Sequence, residues 1–245
     1  MTKIIDSHNH LGGPDRGDDF SQSPDEIIRR MNRAGVEMAV VFPFNEVNPG
    51  VSFSKANDFI AQAVERYPDR LIGFARLDPN TGDASLSELE RAVGKLGLKG
   101  VKLHPKGQNF GPSNPYVKLI LEEAAKLDVP VVFDSGKDIF DNYAISSLAE
   151  AVPEAKIIMA HMRGEGFIEA AKNHENIFLG SVKTPVERVA EALEKLGSNK
   201  IIAGSDSPYA DMTWEMKDKF NELETLTSRN MKKMCGVNLK KLLKL

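Results

Sequence analysis

The segment Lys3-Ile4-Ile5-Asp6-Ser7-His8-Asn9-His10 begins as a short apolar run and ends in side chains that can bind a metal. Ile4 and Ile5 favour an extended backbone, and the run is too short for a helix. In an open doubly wound sheet the first strand normally leads into a glycine-rich phosphate loop. In an eightfold barrel it leads into the active-site face at the strand C-termini. Ser-His-Asn-His stands where the glycine-rich loop would be, which favours the barrel.

The remaining sequence repeats the same unit. Apolar, β-branched runs predict strands at 3–6, 37–42, 71–77, 100–103, 129–133, 156–160, 176–179 and 200–203. Segments of helical period lie between them, at 24–34, 54–66, 85–96, 115–127, 139–151, 164–173, 185–196 and 212–224. Ser23-Pro24-Asp25-Glu26 reads as an N-cap with proline at the first helical position, and Thr184-Pro185 as a second copy of that device. Glycine follows Ala34, Leu96 and Leu196, where helices should stop. Eight units of roughly 30 residues match a βαβ repeat, and about 250 residues is the usual barrel size. The expected fold is a single (β/α)8 TIM barrel over residues 1–245, in which 228–245 adds one or two C-terminal helices. No Pro/Gly/Ser-rich linker divides the chain.

Composition narrows the function. A net charge of -3 and the absence of a basic stripe argue against nucleic acid or an anionic membrane as partner. The longest apolar runs are far shorter than a bilayer span, and the start lacks the apolar core of a secretory signal. Cys235 is the only cysteine, which suits a reducing compartment, so a cytoplasmic protein acting on a small molecule is expected. Self-association into a homo-oligomer is left open.

Four of the five histidines, His8, His10, His104 and His161, stand at or just beyond a predicted strand end, whereas His174 reads as surface. Asp6, His8 and His10 share strand parity, so two imidazoles can face the barrel mouth and reach one ion at about 2.0–2.1 Å. The alternative is a histidine pair hydrogen-bonded in a turn. Asp206 follows the eighth strand, which adjoins the first in a closed barrel. It can face the histidines, or it can cap the next helix. His161 ends an apolar strand and leads into the polar loop Met162-Arg163-Gly164-Glu165-Gly166.

These segments together resemble the amidohydrolase superfamily, in its amidohydrolase-2 branch of metal-dependent TIM-barrel hydrolases and decarboxylases. The similarity runs through Asp6–His10, 100–105 with Gln108, 158–164, 204–208 and Ser228-Arg229-Asn230. It implies that His8, His10 and Asp206 bind a divalent metal and that His161 binds it or orients its water. Zn²⁺ is the expected ion, with Mn²⁺ or Mg²⁺ as alternatives. The family pattern also places histidine at the end of the fifth strand, where this chain has Asp134. Asp134 then either replaces that ligand, holds a ligand imidazole from behind, or marks a site that has lost catalysis. The implied reaction is hydrolysis of an amide, lactone or ester by metal-activated water. Asp206 would shuttle the proton, and His161 would orient the nucleophile or steady the oxyanion. Arg76, Lys106 and Arg163 are rim charges suited to a substrate carboxylate, with Gln108 adding hydrogen bonds and His104 touching substrate or metal. Lys102 has inward parity but is expected to lie too deep. Competing readings are non-oxidative decarboxylation of an unsaturated or aromatic acid, a barrel deoxyribonuclease disfavoured by the acidic charge, and a catalytically silent metal- or metabolite-binding barrel.

Overall fold

In the computed structural model, which describes residues 4–136, 139–227, 229 and 231–245, strands and helices alternate along the chain. Lys3, Ser228 and Asn230, which the sequence reading included, lie outside the described residues. The order is β1 (Ile5–Leu11), α1 (Pro24–Ala34), β2 (Met38–Pro43), α2 (Ser54–Arg66), β3 (Leu71–Gly73), β4 (Ala75–Arg76) and α3 (Asp83–Gly94). Then come β5 (Val101–Leu103), a short α4 (Pro105–Gln108), α5 (Pro115–Lys126), β6 (Val131–Asp134), α6 (Asn142–Ala151), β7 (Ile157–Ala160) and α7 (Phe167–Asn173). The chain finishes with β8 (Ile177–Gly180), α8 (Val186–Leu196), β9 (Ile201–Ile202), α9 (Lys219–Thr227) and α10 (Asn238–Leu243). Every strand pairs in parallel with its sequence neighbour, except across the β3–β4 break.

That break divides the strand expected at 71–77. Phe74 turns into the barrel, where a Cβ at position 100 would overlap its ring, so only glycine fits at Gly100. Hydrogen bonding passes across at the same point: Phe74 N–H donates to Val41 O at 2.9 Å, and Ala75 N–H donates to Gly100 O at 2.8 Å. The two strands are therefore one barrel stave that changes partners. At the other seam β1 meets the segment after β9. Ser7 N–H donates to Ala203 O (3.0 Å), Asp206 N–H to His8 O (2.8 Å) and His10 N–H to Ser207 O (2.9 Å). Gly204 permits this approach, since a Cβ there would lie 2.7 Å from Ser7 Oγ and 3.0 Å from His8 Cβ.

Strand alternation then sorts the side chains. Ile5, Val40, Phe42, Phe74, Val132, Ile158 and Ile202 fill the barrel, and Leu239 and Leu242 of α10 plug the end opposite the site. Val41, Val101, Leu103, Val131, Phe133 and Met159 face outward against Ile60, Leu89, Leu121 and Ile145 of the helices. Lys102 and Asp134 carry the inward parity. Asp6 does not: Ile5 points in, so Asp6 points out toward Ser205. A register shift between Asp6 and Asn9 returns the two histidines to the interior. The expected common parity of Asp6, His8 and His10 thus holds only for the histidines.

Helix ends follow local chemistry. Ser23 and Glu26 form a reciprocal capping box on α1, and left-handed Gly35 closes it. Thr184-Pro185 does not repeat the device: Pro185 is itself the N-cap of α8, without a side-chain bond. The Thr184 hydroxyl is engaged instead with His161 O (3.0 Å) and Val182 O (3.1 Å). The helix predicted at 212–224 opens with a wide turn, Trp214–Asp218, before α9. No helix among the described residues is long and apolar enough to cross a membrane.

Candidate metal centre

The side chains that converge at the barrel mouth come from strand ends under backbone strain. His161 (φ 76) and Asp206 (φ 72) both adopt left-handed conformations, which cost a non-glycine residue about 1–2 kcal/mol. His161 lies immediately after β7 and Asp206 in the segment that follows β9, and in each the turn aims the side chain inward. The capping alternative for Asp206 falls away, because Asp211 Oδ1 accepts from Trp214 N–H (2.8 Å) at the next helical turn. Asp206 Oδ1 lies 3.1 Å from His10 Nε2 and 3.5 Å from His8 Nε2. Donor atoms of His8, His161 and Asp206 all fall within 4.8 Å of one another, and all three residues are buried.

This donor set fits a divalent ion. Ligand atoms about 2.1 Å from a shared ion stand at most about 4.2 Å apart, which a small side-chain adjustment reaches from this spacing. Protonation also suits metal binding. Burial, reinforced by the charges of Lys102, His161 and His10, holds His8 well below the usual histidine value. His10 is lowered too, by burial against the opposing pull of Asp206. Both are therefore neutral, as ligation requires. Burial alone would raise Asp206, but the hydrogen bond from His10 and the nearby positive charge of Lys102 oppose it, and the carboxyl stays below its usual value.

His161 gives an independent sign. Its Nδ1 faces Val182 O at 3.1 Å, and a carbonyl can only accept, so Nδ1 carries the proton. Its Nε2 lies 3.1 Å from Asp134 Oδ2, so a ring protonated on Nδ1 alone would set two acceptors face to face. Two acceptors this close call for a cation or proton between them. Asp134 also lies 3.2 Å from His104 Nε2 and 3.7 Å from Arg163 Nη1. Burial opposes its charge, yet His161, His104 and Lys102 together hold it well below the usual carboxylate value.

The mouth forms a cavity of about 390 Å³ that includes His10, His104, Asp134, His161, Arg163 and Asp206 among its lining residues. The sequence-predicted residues divide accordingly. His8, His161 and Asp206 form the compact cluster, His10 joins through Asp206, and Asp134 joins through His161 and His104. Gln108, expected to touch substrate, is committed to the scaffold, where its Nε2 donates to Leu77 O (2.6 Å) and its Oε1 accepts from His104 N–H (2.9 Å). Lys106 is exposed and does not line the cavity. Arg76 lies below the rim rather than on it, 1% exposed. Lys102, expected to lie too deep, reaches the cluster with Nζ 3.3 Å from His8 Nε2. Sequence reasoning missed Lys183, whose Nζ is 3.7 Å from Asp206 Oδ2, and Tyr209, whose ring centroid is 5.1 Å from that of His10. Their signal was position alone: each lies three residues beyond a strand end or a site aspartate.

A sequence-family model described as Amidohydrolase matches residues 5–245, and the chain belongs to that family. Among its curated relatives, the gamma-resorcylate decarboxylase of Rhizobium radiobacter is 24% identical, with 78% of this chain and 75% of the relative covered. The 2-amino-3-carboxymuconate-6-semialdehyde decarboxylase of Dictyostelium discoideum is 27% identical, but only 61% of this chain and 45% of that relative's length align. Solved structures share the barrel. A 2,6-dihydroxybenzoate decarboxylase from Rhizobium superposes with a TM-score of 0.78 at 19% identity, covering 100% of this chain and 99% of that one. A manganese-bound dihydroxybenzoic acid decarboxylase from Polaromonas sp. JS666 gives 0.75 at 20% identity, covering 100% and 98%.

Proposed function

We propose that this protein is a metal-dependent, non-oxidative decarboxylase of a small unsaturated or aromatic carboxylic acid. The observation that carries this reading is the decarboxylase activity named for a curated relative that aligns over three quarters of both chains. The buried His8–His161–Asp206 cluster supplies chemistry suited to it. Hydrolysis, which the sequence ranked first, would use the same cluster but lacks that support. A silent barrel is opposed by the convergence of His8, His10, His161 and Asp206 in one strained site.

His8, His161 and Asp206 would hold the ion, with His10 and Asp134 beside them. Two carboxylates among the donors support Mn²⁺ or Mg²⁺ alongside the Zn²⁺ expected from sequence. A divalent ion bound there supplies fixed positive charge that polarises the substrate and steadies the negative charge developing as the carbon–carbon bond breaks. The chain's own groups handle the proton. Neutral His10 donates its Nε2–H to Asp206 Oδ1 at 3.1 Å and holds that carboxylate in place. Asp206 relays a proton from a cavity water to the ring or vinyl carbon as the bond to the carboxylate breaks, and the hydroxide left behind takes up the departing CO₂ as bicarbonate. Arg163 and His104 on the cavity wall orient the substrate's oxygens.

The test is CO₂ release from a panel of hydroxybenzoic and unsaturated acids, run with Mn²⁺ and with Zn²⁺ beside esters, lactones and amides. CO₂ is expected from at least one acid, and Asp206→Asn should lower that rate by about 10²-fold or more. Hydrolysis of an ester, lactone or amide with no CO₂ from any acid would overturn the assignment.

A further inference from the structure

Arg76, at the end of β4, carries a charge that the site described above does not use. It is 1% exposed yet lines the cavity. Nη1 donates to Pro43 O at 3.1 Å, and the buried Nε has no hydrogen-bond partner. Among the described residues no carboxylate forms an ion pair with it, although a buried guanidinium is ordinarily paired. Burial pushes it down to about 10.

The surrounding chain fixes the backbone of this residue and packs an aromatic ring against its guanidinium. Arg76 N–H donates to Asn57 Oδ1 (2.8 Å), and Arg76 O accepts from Asn57 Nδ2 (3.0 Å). Asn57 is fully buried and is itself tied to Glu88 Oε1 at 2.8 Å. The Phe53 ring lies 5.4 Å from the guanidinium carbon, a cation–π contact. Two consecutive left-handed residues, Ser52 (φ 46) and Phe53 (φ 67), put the ring there, and Ser52 Oγ anchors the turn by accepting from Asp78 N–H at 3.0 Å. Consecutive non-glycine residues in this conformation are costly, and they persist where the surroundings over-determine them.

We propose that Arg76 is the receptor for a second carboxylate on the substrate, so that the substrate is a dicarboxylate. This rests on the decarboxylase reading. The carboxylate that departs ends as neutral CO₂, so an ion pair to it would stabilise the ground state and oppose the reaction. A carboxylate that keeps its charge feels the same cation throughout, and binding it orients the other one toward the cluster. The planar guanidinium suits a carboxylate in particular.

The experiment measures calorimetric dissociation constants of benzoate and isophthalate on purified protein supplied with Mn²⁺. Wild type should bind isophthalate about tenfold or more tightly than benzoate, as expected for a hydrogen bond between charged groups. Arg76→Gln should bring the ratio close to one, and Arg76→Lys should leave an intermediate ratio. A wild-type ratio near one, or a ratio unchanged in the variants, overturns the proposal. If Arg76→Gln does not fold, Arg76→Lys decides by the same criterion. Binding needs no turnover. An Arg76-dependent isophthalate preference without CO₂ from any acid would therefore sink the decarboxylase reading and leave the receptor standing. Equal kcat/KM for mono- and dicarboxylic acids would do the reverse.

Discussion

Lys219→Met should destabilise the protein by about 3–5 kcal/mol and loosen the site without touching it. The Lys219 side chain is 1% exposed, and its ammonium donates to Ser181 O (2.8 Å), Thr184 O (3.3 Å) and the Glu215 carboxylate. Glu215 also accepts from Lys183 N–H at 3.1 Å. Burial pushes Lys219 down and Glu215 up, so each ion is held by the other. Removing the cation strips two carbonyls of charged hydrogen bonds worth about 1.5–3 kcal/mol each, partly relieved when Glu215 takes up a proton. At about 2–4 °C per kcal/mol for a chain of this size, scanning calorimetry should show a drop of about 6–20 °C. The pair grips residues 181–184, which give Val182 O to His161 Nδ1 and the Thr184 hydroxyl to His161 O. Mn²⁺ affinity should therefore fall by about 10–100-fold, as when a ligand's supporting contact is lost. Glu215→Leu in the same chain should restore part of the stability, since an apolar pair leaves no stranded charge. A single variant that melts within about 2 °C of wild type and binds Mn²⁺ equally well would refute the reasoning.

Two further expectations rest on other parts of the barrel. Lys156 and Lys244 hold the half-exposed Asp128 carboxyl below its usual 3.8. The stability it contributes is present above that value and is lost as pH falls through the lower, folded one. Asp128→Asn should therefore cost under about 1 kcal/mol at neutral pH, with the difference shrinking on acidification and in high salt; a gap that widens in acid would contradict this. Gly204→Ala puts a Cβ 2.7 Å from Ser7 Oγ and 2.9 Å from Val182 Cγ2. Denaturant unfolding should show a loss of about 1–3 kcal/mol from overpacking at the seam, and a neutral effect would mean the seam is looser than described.

The barrel was legible because its signals are local and periodic. Ile and Val runs placed the strands, and Ser23-Pro24 and Gly35 set the ends of α1. The errors arose where contacts distant in sequence decide. The break at Phe74 depends on what Gly100 leaves open, and the return of His8 and His10 to the interior after outward Asp6 depends on a register shift against β2. Thr184 resembled a cap until His161 O, 23 residues away in sequence, claimed its hydroxyl. At the barrel mouth, strand-end position pointed to His8, His10, His161 and Asp206, whose side chains the fold brings together. Gln108 was misjudged because Leu77 O, which engages it, lies on a neighbouring stave. Lys102 reaches His8 because a lysine side chain is long enough to climb from its inward strand position to the mouth, which parity alone does not reveal.

The central claim is that His8, His161 and Asp206 form one divalent-metal site, and elemental analysis of the protein after Mn²⁺ loading and extensive dialysis tests it most directly. Wild type should retain the ion, and His8→Ala and Asp206→Ala should lose it while keeping a wild-type circular dichroism spectrum. Wild type that comes through dialysis without metal, or folded variants that retain as much as wild type, would contradict the account.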